Sequence, residues 1–374
     1  MFRTISLALL SGLFLWVAWP VDGFPFFLCV AFVPLLLAED KLQKPKSVFA
    51  DSFLAFLLWN ILTTFWIVHA TWFGVVMAVL INSLLMASTF TIFSWIKRRL
   101  GSKRGWWAFV CLWRSFEYLH FNWDLSWPWL TLGNGFAAYP SLVQWYEYTG
   151  VLGGSLWILI ANVMAYRVWY SRKFVGLAFW VLLPMGISFL VKPTLSETEK
   201  VNVVVVQPNI DPYGEKFGGL TADEQLEKLL TLANEKVDST TDYLIAPETA
   251  LTGGLWENNL EQSSLIKRLQ NYLQEYPQLK IIVGASTYKL FEEGEVLSET
   301  VRYHKGANRY YDAYNTALQL DTSGVQLYHK SKLVEGVEMM PFTPILKHFK
   351  WLSINLGGVS GSLGSQSERS VFRS

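Results

Sequence analysis

Long apolar runs separated by short polar ones fill the first half of the chain, and the pattern changes near residue 196. Seven apolar runs lie near residues 4–19, 24–38, 50–68, 71–96, 105–121, 149–170 and 174–192. Most approach the roughly 20 residues that a helix needs to cross a bilayer. Trp and Tyr gather at their ends (Trp16, Trp19, Trp72, Trp106, Trp107, Trp169 and Tyr170), where amphipathic rings prefer the membrane interface. The pattern predicts a multi-pass α-helical membrane bundle over 1–193, with an uncleaved first helix.

From 194 to 374 the periods are those of a water-soluble α/β domain. Val201–Val206 is a continuous β-branched run of the kind that fits a strand buried on both faces. A helix follows, opened by the capping-box spacing Thr221 to Glu224 and carrying Leu226, Leu229, Leu230 and Ala233 on one face. A strand is predicted at Tyr243–Ala246, a helix near 257–274 and a strand at Lys280–Ala285. Two extended runs, Tyr310–Leu320 and Val325–Leu333, flank Asp321-Thr322-Ser323-Gly324, which reads as a hairpin loop. A layered domain with a mixed sheet is the expectation.

Composition supports the two solvents: 52% of residues are hydrophobic and 16% charged, against about 25% charged in an ordinary soluble domain. Basic residues orient the bundle. Arg3, then Lys41, Lys44 and Lys46, then Lys97, Arg98, Arg99, Lys103 and Arg104, then Arg167, Arg172 and Lys173 fall on one side, and loops 20–23, 69–70 and 122–148 hold no Lys or Arg. Short retained loops collect such residues, so that side is read as cytoplasmic and the soluble domain as extracytoplasmic. A net charge of +1 gives no basic face for a nucleic-acid partner. The two cysteines, Cys29 and Cys111, lie in apolar runs, with no spacing for a disulfide framework or metal cluster. No cofactor or metal is expected.

Loop 122–148 is rich in Trp, Tyr, Gly and Pro. It is read either as a re-entrant or capping loop that seals the bundle, or as a guide for lipid or substrate. Arg114 and Glu117, three apart on one helix face, are read as a structural pair.

Two strand ends carry candidate chemistry. Leu244-Ile245-Ala246-Pro247-Glu248-Thr249 places Glu248 at the carboxyl end of an apolar strand, the edge where open α/β sheets put ligands. Partial desolvation there raises a carboxyl pKa and suits a general base. In Tyr328-His329-Lys330-Ser331-Lys332-Leu333, period-two alternation puts Tyr328, Lys330 and Lys332 on one face and His329, Ser331 and Leu333 on the other. A lysine there supplies fixed positive charge for a developing oxyanion. Taken singly, each also reads as an ordinary solvated strand end.

The order strand, Pro-Glu, helix, strand, hairpin, Tyr-x-Lys-x-x-Leu resembles the nitrilase superfamily. Following a helical bundle, it is similar to the apolipoprotein N-acyltransferase family. Trp127-Pro128-Trp129-Leu130, Leu132-Gly133, Gln144 and Gly150-Val151-Leu152-Gly153-Gly154 resemble that family's loop and following span, and Gln207-Pro208-Asn209-Ile210 its first strand end. The resemblance implies an αββα sandwich and a Glu–Lys–Cys triad. A cysteine thiolate takes an acyl chain from a phospholipid and passes it to the α-amino group of an apolipoprotein's diacylglyceryl-cysteine. Glu248 is then the base, Lys330 the oxyanion-stabilising cation, and Glu338 a supporting carboxylate. Phe217 stands where relatives carry a tryptophan on an arm over the site, in Tyr213-Gly214-Glu215-Lys216-Phe217. Lys332 falls where relatives often have histidine. Glu335-Gly336-Val337-Glu338 departs from their Pro-Phe-Gly-Glu. The family's cysteine belongs on a strand past Lys330 and is absent before Ser374, so the domain is expected to be incomplete at its C-terminus. Bacterial inner-membrane localisation follows, with phospholipid, apolipoprotein and the bilayer as partners. A catalytically inactive lipid- or lipoprotein-binding module and a transporter are the competing readings.

Overall fold

The computed structural model describes residues 2–69, 72–191, 200–212, 214–335, 337–340, 342 and 362–373. The chain divides into two compact units, Met1–Leu195 and Ser196–Ser374. The expected boundary at 193, Tyr213, Gly336 and most of the glycine-rich stretch 357–364 lie outside the described residues.

The first unit is helical, with a helix in each predicted run. These are α1 (Phe2–Val17), α2 (Val33–Glu39, preceded by a 3-10 turn over Pro25–Cys29), α3 (Pro45–Thr64), α4 (Trp72–Leu100), α5 (Ser102–Asn122), α6 (Tyr146–Ser171) and α7 (Val175–Leu190). Three segments, Pro45–His69, Trp72–Leu100 and Tyr146–Ser171, are long and apolar enough to cross a membrane; Arg3–Val17, Pro25–Glu39 and Val175–Leu190 are shorter apolar helices. Aromatic rings fill the interior, among them Trp59, Trp113, Phe32, Phe56, Phe90 and Phe109, all essentially buried. Outward positions are equally apolar: Leu9, Leu13, Leu84, Phe179, Leu182 and Phe189 are exposed. A helix apolar on every side suits an apolar solvent.

No direct salt bridge joins Arg114 and Glu117 among the described residues, although the Arg114 charge still acts on the carboxylate. Glu117 Oε1 accepts from the Leu132 N–H at 2.8 Å, and Arg114 Nη1 has no partner among the described residues. The three-residue spacing puts both on one side of α5, but the orphaned amide of the 132–136 turn takes the carboxylate instead. Loop 122–148 thereby docks onto the bundle. Gly133 packs so closely that an added Cβ would sit 2.1 Å from the Val151 oxygen, and its N–H donates to Ser155 Oγ at 3.0 Å.

The second unit is built on one mixed sheet: β1 (Val203–Val205), β2 (Tyr243–Ile245), β3 (Leu251–Trp256), β4 (Lys280–Leu290), β5 (Arg302–His304), β6 (Arg309–Asp321) and β7 (Gly324–His329). The order is β1-β2-β4-β6-β5, with β3 also on β4 and β7 also on β6; β1, β2 and β3 run parallel into β4, and β6 returns antiparallel. Helices α8 (Ala222–Asn234) and α9 (Ser264–Glu275) cover one face, packing Leu226, Leu229, Ile266 and Leu269 against Leu244, Ile281, Val283 and Leu318. The capping box forms as predicted, Thr221 and Glu224 bonding each other's N–H.

Four expectations change. The β1 run is not buried on both faces: among the described residues it pairs only with β2, and Val203 and Val205 are 44% and 71% exposed. The helix predicted from 257 starts at Ser264, because 257–262 is a 3-10 turn after the unpredicted strand β3. β7 ends at His329 rather than Leu333, so alternation fails beyond it and the Tyr328 and Ser331 hydroxyls meet at 2.9 Å. One sheet, not the two of a sandwich, is found among the described residues.

Candidate active site

Glu248 leaves the carboxyl end of β2 on a short loop. Ala246 N–H still bonds Ile282 in β4, and Pro247, which lacks an N–H, can only accept, from Gly284 N–H at 3.2 Å. Thr249 takes φ 53°, turning the chain back towards β3. The loop lies directly on Gly284 of β4. A Cβ there would meet Thr249 N at 2.5 Å and Glu248 Cα at 2.6 Å, so only glycine permits this approach.

Lys330 follows the last residue of β7, with its N–H still bonded to the Asn315 carbonyl in β6 at 2.8 Å. Its Nζ reaches Glu248 Oε1 at 2.9 Å and Glu338 Oε1 at 3.0 Å. Glu338 is held by its own loop: its Oε2 accepts from Val334 N at 2.7 Å and its N–H bonds the Val334 carbonyl.

Asn315, which sequence reasoning missed, joins the three. Its Nδ2 donates to Glu248 Oε1 and, at 2.8 Å, to Glu338 Oε1. A signal was present. The hairpin pairs Asp321 with Gly324 and Thr316 with His329, which sets residue 315 beside 330. Lys216 was also missed; its Nζ bonds the Glu248 carbonyl at 3.1 Å. Phe217 follows it, 41% exposed, with its ring centroid 5.7 Å from that ammonium.

The charges adjust accordingly. Burial alone raises the Glu248 carboxyl, but bonds from Lys330 and Asn315 outweigh it and hold the pKa below the usual carboxylate value, opposite to the rise expected from desolvation. Burial pulls the Lys330 ammonium down, but Glu248 and Glu338 more than compensate and raise it. Glu248 is therefore ionised at neutral pH, able to accept a proton, beside a permanent positive charge. The Glu248 side chain is 61% exposed and that of Lys330 29%, leaving the pair open to a reactant.

A family model described as the apolipoprotein N-acyltransferase N-terminal domain matches residues 11–164. A protein of Chlorobaculum tepidum named apolipoprotein N-acyltransferase is 29% identical over 381 aligned residues, 96% of this chain and 69% of its own length. The chain is similar to the apolipoprotein N-acyltransferase family along nearly its whole length. Proteins of the same name from Geobacter metallireducens and Borreliella burgdorferi are 30% and 22% identical, over 44% and 76% of this chain and 33% and 57% of their own lengths. The region matched by the family model, 11–164, lies within the helical unit, while the alignment with the Chlorobaculum acyltransferase covers 96% of the chain and so reaches both units.

Proposed function

We propose that the chain carries the membrane bundle and part of the acyl-transfer site of an enzyme that N-acylates the diacylglyceryl-cysteine of apolipoproteins, with a phospholipid as donor. The observation that carries this reading is Lys330 bonded to both Glu248 and Glu338 at the carboxyl edge of the sheet, in a chain similar to this family. Glu248 is the general base. It removes the proton of the attacking thiol and returns it to the leaving lysophospholipid alkoxide. It then takes a proton from the attacking amine as the thioester C–S bond breaks and the thiol is restored. Lys330 faces the oxyanion that forms at each attack. Glu338 and Asn315 hold these two groups in register, and Phe217 sits on the arm beside them.

Cys29 and Cys111 both lie in the helical unit, so the roles proposed here are those of the base, the cation and their supports. In a second reading the α/β unit binds lipid or lipoprotein without turnover. The bacterial inner membrane, with the basic loops cytoplasmic and the α/β unit outside, is the location that fits a lipid donor and a lipoprotein acceptor.

The test, made in the full-length protein that supplies the cysteine thiol, is acyl transfer from phospholipid vesicles to a diacylglyceryl-cysteine peptide, read as a mass gain of one acyl chain. Transfer by the reconstituted protein and its loss by about 10²-fold or more in Glu248→Gln are expected. No transfer at all supports the binding-only reading. Full activity in Glu248→Gln removes the assigned base.

A further inference from the structure

Beside Glu248 lies a cavity of about 90 Å³ that none of the roles above uses. Its polar wall comprises Gln207, Asn209, Lys216, Gln225 and Glu248. Such a space holds several waters, or one tetrahedral oxyanion. Asn209 adopts φ 48°, a tight bend in the Gln207–Ile210 segment that lines it.

Lys216 is the group that gives the cavity its character. An ammonium has three N–H donors, and its hydrogen bond in this structure goes to the Glu248 carbonyl. The Glu248 carboxylate is meanwhile turned to Lys330 and Asn315. A full positive charge in this wall therefore meets a carbonyl dipole where Lys330 meets two carboxylates. Burial lowers the Lys216 pKa, although the nearby Glu248 charge opposes the fall; a bound anion would relieve that cost. Gln225, 2% exposed, donates to the Lys216 and Leu220 carbonyls at 2.8 and 3.1 Å, and so fixes the backbone that carries the ammonium. The site is thus built around a braced cation with donors to spare among the described residues.

The geometry points to an anion subsite in which Lys216, with the Asn209 and Gln207 amides, receives the phosphodiester of a membrane phospholipid next to Glu248. This rests on the acyl-transfer reading and extends it to the donor. In a glycerophospholipid only the glycerol carbons separate the phosphate from the acyl ester. A phosphate held at Lys216 therefore sets that ester beside the base and Lys330. Glu248 does not bar the anion, since its own charge is paired with Lys330. Free inorganic phosphate presents the same oxygens and is the alternative source.

The experiment is calorimetric binding to the full chain in detergent, using dihexanoyl phosphatidylglycerol, inorganic phosphate and dihexanoylglycerol, which lacks the phosphate. Lys216→Gln is expected to weaken phosphatidylglycerol about tenfold or more, the scale of one charge-assisted bond. Lys216→Arg should bind nearly as the unmodified protein does, and dihexanoylglycerol should not distinguish the three, which separates lost charge from misfolding. Equal phosphatidylglycerol affinity in the unmodified protein and Lys216→Gln overturns the subsite. A Lys216-dependent affinity for inorganic phosphate without one for the lipid overturns the phospholipid assignment. Binding needs no turnover. If Lys216→Gln loses lipid while Glu248→Gln still transfers acyl groups, the catalytic reading fails and the subsite stands.

Discussion

In the helical unit Lys97 bonds Glu39 at 2.5 Å and Asp40 at 2.9 Å; in the α/β unit Lys330 bonds Glu248 at 2.9 Å and Glu338 at 3.0 Å. Both are lysines between two acids, but their surroundings differ. The Lys97 side chain is 10% exposed and that of Glu39 3%, and every neighbour adds a tie. Ser94 donates to Glu39, Tyr166 and Tyr170 donate to Asp40, and the Trp106 ring lies 4.7 Å from the ammonium. That cluster ties α2 to α4 and α6, with Lys97 and Glu39 enclosed and Asp40 at its 27% exposed rim. Around Lys330 the supports come from one direction, through Asn315 and the 334–338 turn, and Glu248 remains largely open. The same pairing encloses its lysine in one unit and leaves a carboxylate accessible in the other.

Substitution should separate the two. Lys330→Ala is expected to cut acyl transfer by about 10²–10³-fold, with little change in unfolding temperature, because it removes an oxyanion-facing charge from an open site. Lys97→Met should do the reverse. Breaking an enclosed pair destabilises by about 3 kcal/mol, seen as a lower denaturant midpoint in detergent, with transfer per folded molecule retained. If both variants lost activity alone, the contrast would collapse.

A smaller effect is expected at Asn315. Asn315→Leu should lower kcat by about tenfold through misplacement of Glu248, leaving KM for the acceptor nearly unchanged. An equal rise in KM would mean that Asn315 binds substrate instead.

The smallest effect concerns pH. Glu248 is held below its unfolded value of about 4.3, so its contribution to stability is present above that pH and is lost as pH falls through the lower folded value. Lys330 is raised above about 10.4, so its contribution is present below that pH and is lost as pH rises through the higher folded value. The stability difference between Lys330→Ala and the unmodified protein should thus stay flat from about pH 5 to 9 and shrink beyond both ends. A change centred near pH 7 would contradict the assigned pairing.

The helices of the first unit were legible because seven apolar runs leave the backbone few alternatives in an apolar solvent. The α8 cap and the hairpin turn were legible because Thr221, Glu224 and Asp321 carry local hydrogen-bonding instructions. What misled was inference from side-chain type without knowledge of neighbours. Val203 and Val205 look like a central strand but lie at an edge, and Glu117 looks like the partner of Arg114 but serves the Leu132 amide. Glu248 and Lys330 stood out as strand-end groups, yet their distance was not in the pattern. Asn315 could have been found by carrying the hairpin register back from Asp321 and Gly324 to the residue beside Lys330.

Gly284 sets a mechanical stop for the proposed base. The loop bearing Glu248 rests on a strand position that has a hydrogen where other residues carry carbon, and the Pro247, Glu248 and Thr249 backbones all come within 2.7 Å of where that carbon would be. The span between Glu248 and Lys330 thus depends on a residue that bonds neither side chain. A single methyl group on the neighbouring strand would shift the Glu248–Lys330 pair from beneath, without changing one of its charged or hydrogen-bonding members.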